Sequence, residues 1–240
     1  MAGLAIGIAG AGLLGRLLAW QLARAGHRVS VFDPAPGPQP SFDGQQSAGF
    51  TAAGMLSPLA ELDNSSAAVA ALGWRSIALW RAVVRQLRAR PAFAERGSLL
   101  LAHRSDAGAA QRLLSRLSRA LPGTPQAQAL DATQLTTLEP ALQGAALAWL
   151  LPGEAQIDAL AAMLALQAEA PAVDWHWNRR VSRVQAEALT MDGEPDRRFD
   201  LVFDARGTGN RLKMAVRGRI GNSKALFSPK APRARRLNSH

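Results

Sequence analysis

The stretch that decides the fold is residues 4–34, LAIGIAGAGLLGRLLAWQLARAGHRVSVFDP. Its apolar beginning, from Leu4 to Ala9, predicts a buried strand. A glycine-rich turn follows and leads into an apolar helix that extends through Ala25. Residues Arg28 to Phe32 then predict a second strand, which ends at Asp33. This order of strand, glycine-rich turn, helix and strand predicts a βαβ unit.

The three glycines of the turn have the spacing G-x-G-x-x-G, and each has a physical reason. Gly10 permits the tight turn out of the strand, and Gly12 lets the backbone approach a pyrophosphate. Gly15 lets the helix pack closely on the strand. Leu13 and Leu14 begin the helix, where unpaired N–H groups and the positive end of the helix dipole favour phosphate. The turn therefore predicts a dinucleotide site.

Asp33 lies eighteen residues after Gly15, where a carboxylate would accept the hydroxyls of an adenosine ribose. Its negative charge would repel a 2′-phosphate and so disfavours NADP. It suits NAD and FAD equally, so these residues leave both cofactors open. The alternative is a glycine-rich turn in an α/β protein that binds no nucleotide.

The composition excludes several other chemistries. The chain has 240 residues and no cysteine, which excludes disulfides, thiolate metal sites and a cysteine nucleophile. The histidines have no second ligand at metal-binding spacing, so we expect no metal. The apolar N-terminus lacks a basic region before it, and arginines interrupt it. We therefore expect a cytoplasmic protein without a membrane span.

A second motif follows a connection rich in proline and glycine. Residues Gln46 to Pro58, QSAGFTAAGMLSP, are mostly small. Such a run suits a turn or helix whose backbone lies against a flat ligand, because bulky side chains would hold it away. A tightly packed helix is the alternative interpretation.

The rest of the chain shows alternating helical and strand patterns. We predict helices at 66–90, 105–121, 131–142 and 158–168, and strands at 97–102, 146–151, 175–185 and 199–205.

The motifs together resemble the D-amino-acid oxidase superfamily of FAD-dependent oxidoreductases, and most closely the glycine oxidases of the thiamine pathway. The resemblance covers about residues 4 to 210. It is carried by the nucleotide motif and by SAGFTAAGMLSPLAE, GSLLLAHRSD, LEPAL, LPGEAQID and FDLVFDARG. The alanine-alanine-glycine-methionine segment is the most specific, since in this family it passes beside the flavin and so favours FAD over NAD.

The resemblance implies an α/β fold with a Rossmann-like FAD-binding domain, built on a mostly parallel sheet, and a partial α+β substrate domain. We expect residues 1–75 and 150–212 to form the first domain and residues 76–149 the second. Residues 213–240 are expected to be a basic, disordered tail.

The resemblance also implies which residues contact the cofactor FAD. Residues of the glycine turn would contact the pyrophosphate, and an acidic residue would contact the ribose. The small-residue run would contact the flavin, and the backbone of a strand would contact the adenine. These positions are Gly10, Gly12, Leu13, Leu14, Gly15, Asp33, Pro34, Ala48, Gly49, Ala53, Gly54, Met55, Val181 and Gly207. No residue is assigned a catalytic role.

The chemistry of the family is flavin oxidation of the C–N bond of an amine to an imine, with oxygen as the electron acceptor. The resemblance implies a small-molecule substrate such as glycine, sarcosine or a D-amino acid. Two alternatives remain open: a different amine, such as a modified base of transfer RNA, or a nucleotide-binding remnant without catalysis. Assembly as a homo-oligomer is also left open.

The charge distribution breaks sharply near the end of the chain. All eighteen acidic residues lie at or before Asp204, whereas ten basic residues fall between Arg206 and Arg236. The resemblance is lost at the same place, and family members continue well beyond it. We therefore expect a truncated family member. The alternative is a basic arm that binds nucleic acid, but no aromatic residues interleave for base stacking, so we expect no nucleic-acid partner.

Overall fold

A computed structural model describes residues 3–41, 47–63, 66–120, 126–142, 144 and 147–207. The helices of eight or more residues are α1 Leu13–Arg24, α2 Ala67–Gln86, α3 Ala107–Ala120 and α5 Ala159–Ala168, and α4 Ala132–Leu138 is shorter. The strands are β1 Ala5–Ala9, β2 Arg28–Phe32, β3 Met55–Leu56, β4 Phe93–Ala94, β5 Ser98–Ala102, β6 Gln128–Leu130, β7 Leu147–Leu151, β8 Ala155–Ile157, β9 Val173–His176, β10 Val181–Val184, β11 Ala188–Met191, β12 Arg197–Arg198 and β13 Leu201–Asp204.

The centre of the fold is a parallel sheet in the order β13-β1-β2-β9. Ile8 lies opposite Val31 on one side and opposite Phe203 on the other. Strand β1 has no polar residue, and β2 buries Val29, Val31 and Phe32, because helices and other side chains cover the sheet. The predicted α/β fold with a parallel sheet is confirmed.

Helices α1, α2 and α5 supply the apolar layer on this sheet. Trp20 of α1, Trp80 of α2 and Leu166 of α5 belong to one buried cluster with Ile6 and Val29. The most buried members of that cluster are less than 2% exposed, as expected for the close-packed core of a domain.

Three smaller antiparallel sheets surround the parallel one. Their orders are β10-β11-β12, β3-β8-β4 and β5-β7-β6. The division of the chain into two domains stays a prediction, and the tail at 213–240 lies outside the described residues.

The single strand predicted at 175–185 is wrong. The chain leaves the parallel sheet after His176 and turns at Asn178, which has a φ of +54°. The Asn178 N–H donates to the Ala35 carbonyl, and the Arg179 N–H donates to the Asp33 carbonyl. These bonds hold the turn beside the end of β2, so the residues that follow begin a different, antiparallel sheet as β10.

Helix α2 is long and apolar enough to cross a bilayer by length and composition alone. In the structure Trp80, Val83 and Val84 pack into the core cluster over the parallel sheet. The helix begins at Ser66, whose side chain accepts a hydrogen bond from the Val69 N–H. Its apolar character therefore serves, at least in part, the packing of the domain.

Glu154 is a fully buried carboxylate, with a relative exposure of 0%. One carboxylate oxygen accepts hydrogen bonds from the N–H groups of Leu59 and Ala60, at 2.8 and 3.1 Å, and the other accepts one from the Ser98 hydroxyl. A single side chain thus connects the segment after β3 with the start of β5. A buried carboxylate is tolerated here because donors satisfy both oxygens.

We expect Glu154→Ala to lower the free energy of unfolding by about 2–4 kcal/mol, because it leaves buried N–H groups without an acceptor. Urea unfolding followed by circular dichroism measures the change. Glu187→Ala, which removes an exposed carboxylate, is the control and should change stability by less than about 0.5 kcal/mol. Equal effects in the two variants would contradict this role of Glu154.

Candidate functional site

The glycine turn brings β1 and α1 into backbone contact. Gly10 has a φ of +102°, and a Cβ atom there would lie 2.6 Å from the Ala205 carbonyl oxygen. A Cβ atom on Gly15 would overlap the Gly10 carbonyl oxygen. Neither position accepts a side chain without movement of the backbone, as the sequence predicts for Gly15.

The N-terminus of α1 is open to an anion. Gly12 is the N-cap residue, no side chain caps the helix, and its first turn holds no acidic residue. Leu14 in that turn is 57% exposed. The first N–H groups of a helix have no partner within it, so this end presents donors and a positive dipole to the crevice.

Asp33 lies where β2 ends, and its carboxylate is bonded to the glycine turn. One oxygen accepts a hydrogen bond from the Ala11 N–H at 2.6 Å, and the other accepts one from the Ala35 N–H at 2.8 Å. An ionised carboxylate has about four acceptor sites, so it can still accept ribose hydroxyls. Pro34 follows it directly and carries no N–H of its own.

The small-residue run lies against the start of α1. A 3₁₀ helix at Ala48–Phe50 places Gly49 so that a Cβ atom there would lie 3.3 Å from the Leu13 Cβ and would overlap the Met163 sulfur. At Gly49 the run therefore packs against protein, as in the alternative interpretation given above, and a role of the run toward a flavin stays a prediction.

The rest of the run continues into β3. Gly54 has a φ of +74°, and a Cβ atom there would overlap the Ile157 carbonyl oxygen. Ala53 is exposed, and Met55, 58% exposed, pairs with Gln156 of β8. Ala53 and Met55 are therefore exposed at the end of the run that starts beside Leu13 of α1.

Val181 is held at the carboxyl end of the sheet by an arginine. It is 2% exposed and packs with Ala9 and Phe32. Arg206 donates to its carbonyl at 2.9 Å and forms a two-pronged pair with Asp204, at 2.8 and 2.7 Å. The Arg206 hydrogen bonds hold the pKa of Asp204 below its ordinary value, and Asp204 in turn raises the pKa of Arg206.

The predicted residues thus fall into two groups. The residues of the glycine turn, Asp33 and the 3₁₀ helix meet at the N-terminus of α1, and Ala53, Gly54 and Met55 continue from them to β8. In the second group, Val181 accepts a hydrogen bond from Arg206 at the end of β13, and Gly207, which has a φ of +71°, follows Arg206 in the chain. Their contacts with a cofactor stay a prediction.

Sequence reasoning missed three residues that build this region: Arg16, Glu154 and Arg206. Arg16 carried a signal, since it is a lone charge in the first two turns of an apolar helix. Glu154 carried none, because its partners lie 56 or more positions away. Arg206 follows Asp204 by two positions, but its bond to the Val181 carbonyl crosses 25 positions and has no local pattern.

The profile of the family described as FAD dependent oxidoreductase (DAO) matches residues 5–229. The chain belongs to this family. No curated protein gives a significant match.

Solved structures of the same fold include glycine oxidase from Geobacillus kaustophilus, with 26% identity and a TM-score of 0.71 over 86% of this chain. Iminodiacetate oxidase from Chelativorans sp. BNC1 is 21% identical, with a TM-score of 0.66 over 84% of this chain. L-alpha-glycerophosphate oxidase from Mycoplasma pneumoniae, solved with FAD bound, is 16% identical with a TM-score of 0.63 over 81%. The chain spans about half the length of these structures: 56%, 55% and 51%.

FAD is the cofactor of the family, and the residues of this chain fit it. The open helix end and the turn without side chains suit a pyrophosphate, and Asp33 suits a ribose. The predicted cofactor is confirmed at the level of the family.

We expect Gly15→Ala to weaken FAD binding by about 5- to 150-fold, because the added methyl group displaces the glycine turn from the helix, at a cost of about 1–3 kcal/mol. Quenching of flavin fluorescence measures the affinity. Gly108→Ala in α3 is the matched control, since a Cβ atom there meets only the end of the Arg112 side chain, at 3.5 Å. Unchanged FAD affinity in Gly15→Ala would contradict the placement of the cofactor.

The Asp204–Arg206 pair predicts a pH-dependent stability. The pKa of Asp204 lies below its ordinary 3.8, so the stabilisation is complete above that value and is lost as the pH falls through the lowered pKa. We expect Asp204→Asn to cost about 1–2 kcal/mol at pH 7 and progressively less toward about pH 3.

Urea unfolding across this pH range measures the difference. The exposed pair of Arg81 and Glu95 provides the control, and Glu95→Gln should have a smaller effect at every pH because solvent screens that pair. A cost for Asp204→Asn that is independent of pH would contradict the charge pairing.

Proposed function

We propose that the protein oxidises the C–N bond of a small amine or amino acid to an imine, with electrons passing to oxygen. The observation that carries this proposal is the match to glycine oxidase from Geobacillus kaustophilus, which is 26% identical over 86% of this chain. Glycine, sarcosine and D-amino acids are the proposed substrates. A cytoplasmic location and a place in the thiamine pathway belong to the same proposal and rest on resemblance alone.

The residues of this chain would bind and orient the cofactor. The glycine turn and the first N–H groups of α1 would receive the pyrophosphate, and the Asp33 carboxylate would accept the ribose hydroxyls. Asp33 is held in place for this by the Ala11 and Ala35 N–H groups. Bound FAD supplies the electron-accepting ring, so the protein contributes mainly position and electrostatics.

The run from Ala48 to Met55 supports the flavin end of this arrangement. Gly49 has no side chain between the 3₁₀ helix and α1, and Met55, at the other end of the run, is exposed. Because a flat ring system packs against backbone and apolar surface, we propose that the flavin lies along this run.

The proposal is tested by turnover of the full chain after incubation with FAD. Peroxide formation with glycine, sarcosine, D-alanine and iminodiacetate under air, read with a peroxidase-coupled dye, should exceed formation by the chain without FAD. The preferred amine should bleach the flavin absorbance under anaerobic conditions.

Gly15→Ala, assayed at an FAD concentration at which it binds less cofactor than the unmodified chain, serves as the control with reduced occupancy. If the unmodified chain binds FAD yet neither bleaches nor forms peroxide with any of these amines, the oxidase proposal is wrong. That outcome would favour the alternative of a nucleotide-binding protein without catalysis.

A further inference from the structure

Arg16 is a charged side chain buried at the base of the glycine turn. It lies in the second turn of α1 and is 1% exposed. Long side chains on a helix point toward its N-terminus, and this one reaches back to the turn: its Nε donates to the Ala11 carbonyl at 2.8 Å.

The rest of the guanidinium joins two other parts of the chain. One terminal nitrogen donates to the Met163 carbonyl of α5 at 3.0 Å, and the other donates to the Pro38 carbonyl at 2.8 Å. The rings of Phe50 and Trp177 lie 5.1 and 5.7 Å from its central carbon. All of these partners are neutral.

The positive charge is therefore only partly balanced. Among the residues that the structure describes, none forms an ion pair with Arg16, and the nearby carboxylate is Asp33, which is bonded to backbone N–H groups instead. Burial lowers the pKa of Arg16 to about 10, and the charge of Asp33 opposes that lowering. A guanidinium without a paired anion is costly to bury unless something supplies the missing charge.

The surroundings add to this positive potential. The N-terminal end of α1, with its positive dipole, lies one turn away, and the first turn has no acidic residue. The Ala11 peptide is held from both sides, since its carbonyl accepts from Arg16 and its N–H donates to Asp33. Arg16 therefore sets the orientation of the turn and adds charge beneath it.

We propose that Arg16 is a positioning residue for FAD, whose buried guanidinium holds the glycine turn and acts as the counter-charge of the cofactor pyrophosphate. The affinity of the site for a diphosphate then depends on this charge, whereas its affinity for an uncharged nucleoside does not. An Arg16 that only stabilised the fold as a whole would affect both ligands alike, and the Arg16→Lys variant below separates the charge from the position of the turn.

ADP and adenosine separate these two roles, because they differ only in the diphosphate. We expect Arg16→Met to weaken ADP binding on the order of tenfold or more and to change adenosine binding by no more than about twofold. Isothermal titration with the full chain measures both affinities. Equal losses for ADP and adenosine, or no loss for ADP, would overturn the proposal.

Two further variants sharpen the comparison. Arg16→Lys keeps the charge without the three hydrogen bonds, and it should bind ADP more tightly than Arg16→Met does; equal affinities would overturn the role of the charge. Arg24→Met is the matched control, since Arg24 lies in the same helix and also stacks on a ring, that of Trp20 at 4.7 Å. It should leave ADP affinity unchanged.

A measurement on the unmodified chain covers the case in which Arg16→Met does not fold. With ¹⁵N-labelled arginine, the Arg16 Nε–H resonance, assigned by its loss in Arg16→Lys, should shift on addition of ADP and not of adenosine. An unmoved resonance at saturating ADP would overturn the proposal. These tests measure binding rather than turnover, so they are independent of whether the chain oxidises amines.

Discussion

The contact between the backbone of Gly10 and the Cα of Gly15 is the constraint on which the rest of the site depends. A Cβ atom on Gly15 would overlap the Gly10 carbonyl oxygen, so the backbone after β1 and the backbone of α1 are too close for a side chain at this position. This approach leaves the first N–H groups of α1 at the carboxyl end of the sheet, where open α/β sheets bind their ligands. It also places the Ala11 N–H 2.6 Å from the Asp33 carboxylate, which links the turn to the end of β2.

Buried charged side chains connect the segments around this contact. Arg16 ties the glycine turn to Pro38 and Met163, and Glu154 ties the segment at Leu59 to the start of β5. Each satisfies several hydrogen bonds at once, which offsets part of the cost of removing a charge from water. They differ in one respect. Both have only neutral hydrogen-bond partners, but Arg16 lies beside the N-terminus of α1, where the helix dipole also favours an anion, whereas Glu154 joins backbone N–H groups and a hydroxyl of two segments away from that helix end.

Strand β13, although it lies almost 200 residues after β1, joins the parallel sheet beside β1 near the glycine turn. It pairs with β1 from Ile6↔Leu201 to Ala9↔Asp204 and delivers Arg206 to the carbonyl of Val181. The two-pronged bond of Arg206 to Asp204 fixes the guanidinium, and a planar fork of this kind sets direction as well as distance. The match to FAD-dependent oxidoreductases over residues 5–229 agrees with a crevice assembled from both ends of this range.

The sequence by itself determined the βαβ unit, its glycine turn, Asp33 and the family, because these depend on local spacing: apolar runs, turn residues and a helix start within thirty residues. The sequence could not predict the short strands β3, β4, β8 and β12. Two or three residues show no periodicity, and such strands form only by pairing with strands that are distant in sequence. The break at Asn178 was missed for the same reason, as the turn is held by the Asp33 and Ala35 carbonyls. Only the tertiary structure decided that Arg16 is buried beneath the turn, because its acceptor at Met163 lies 147 positions away and no local pattern records such a contact.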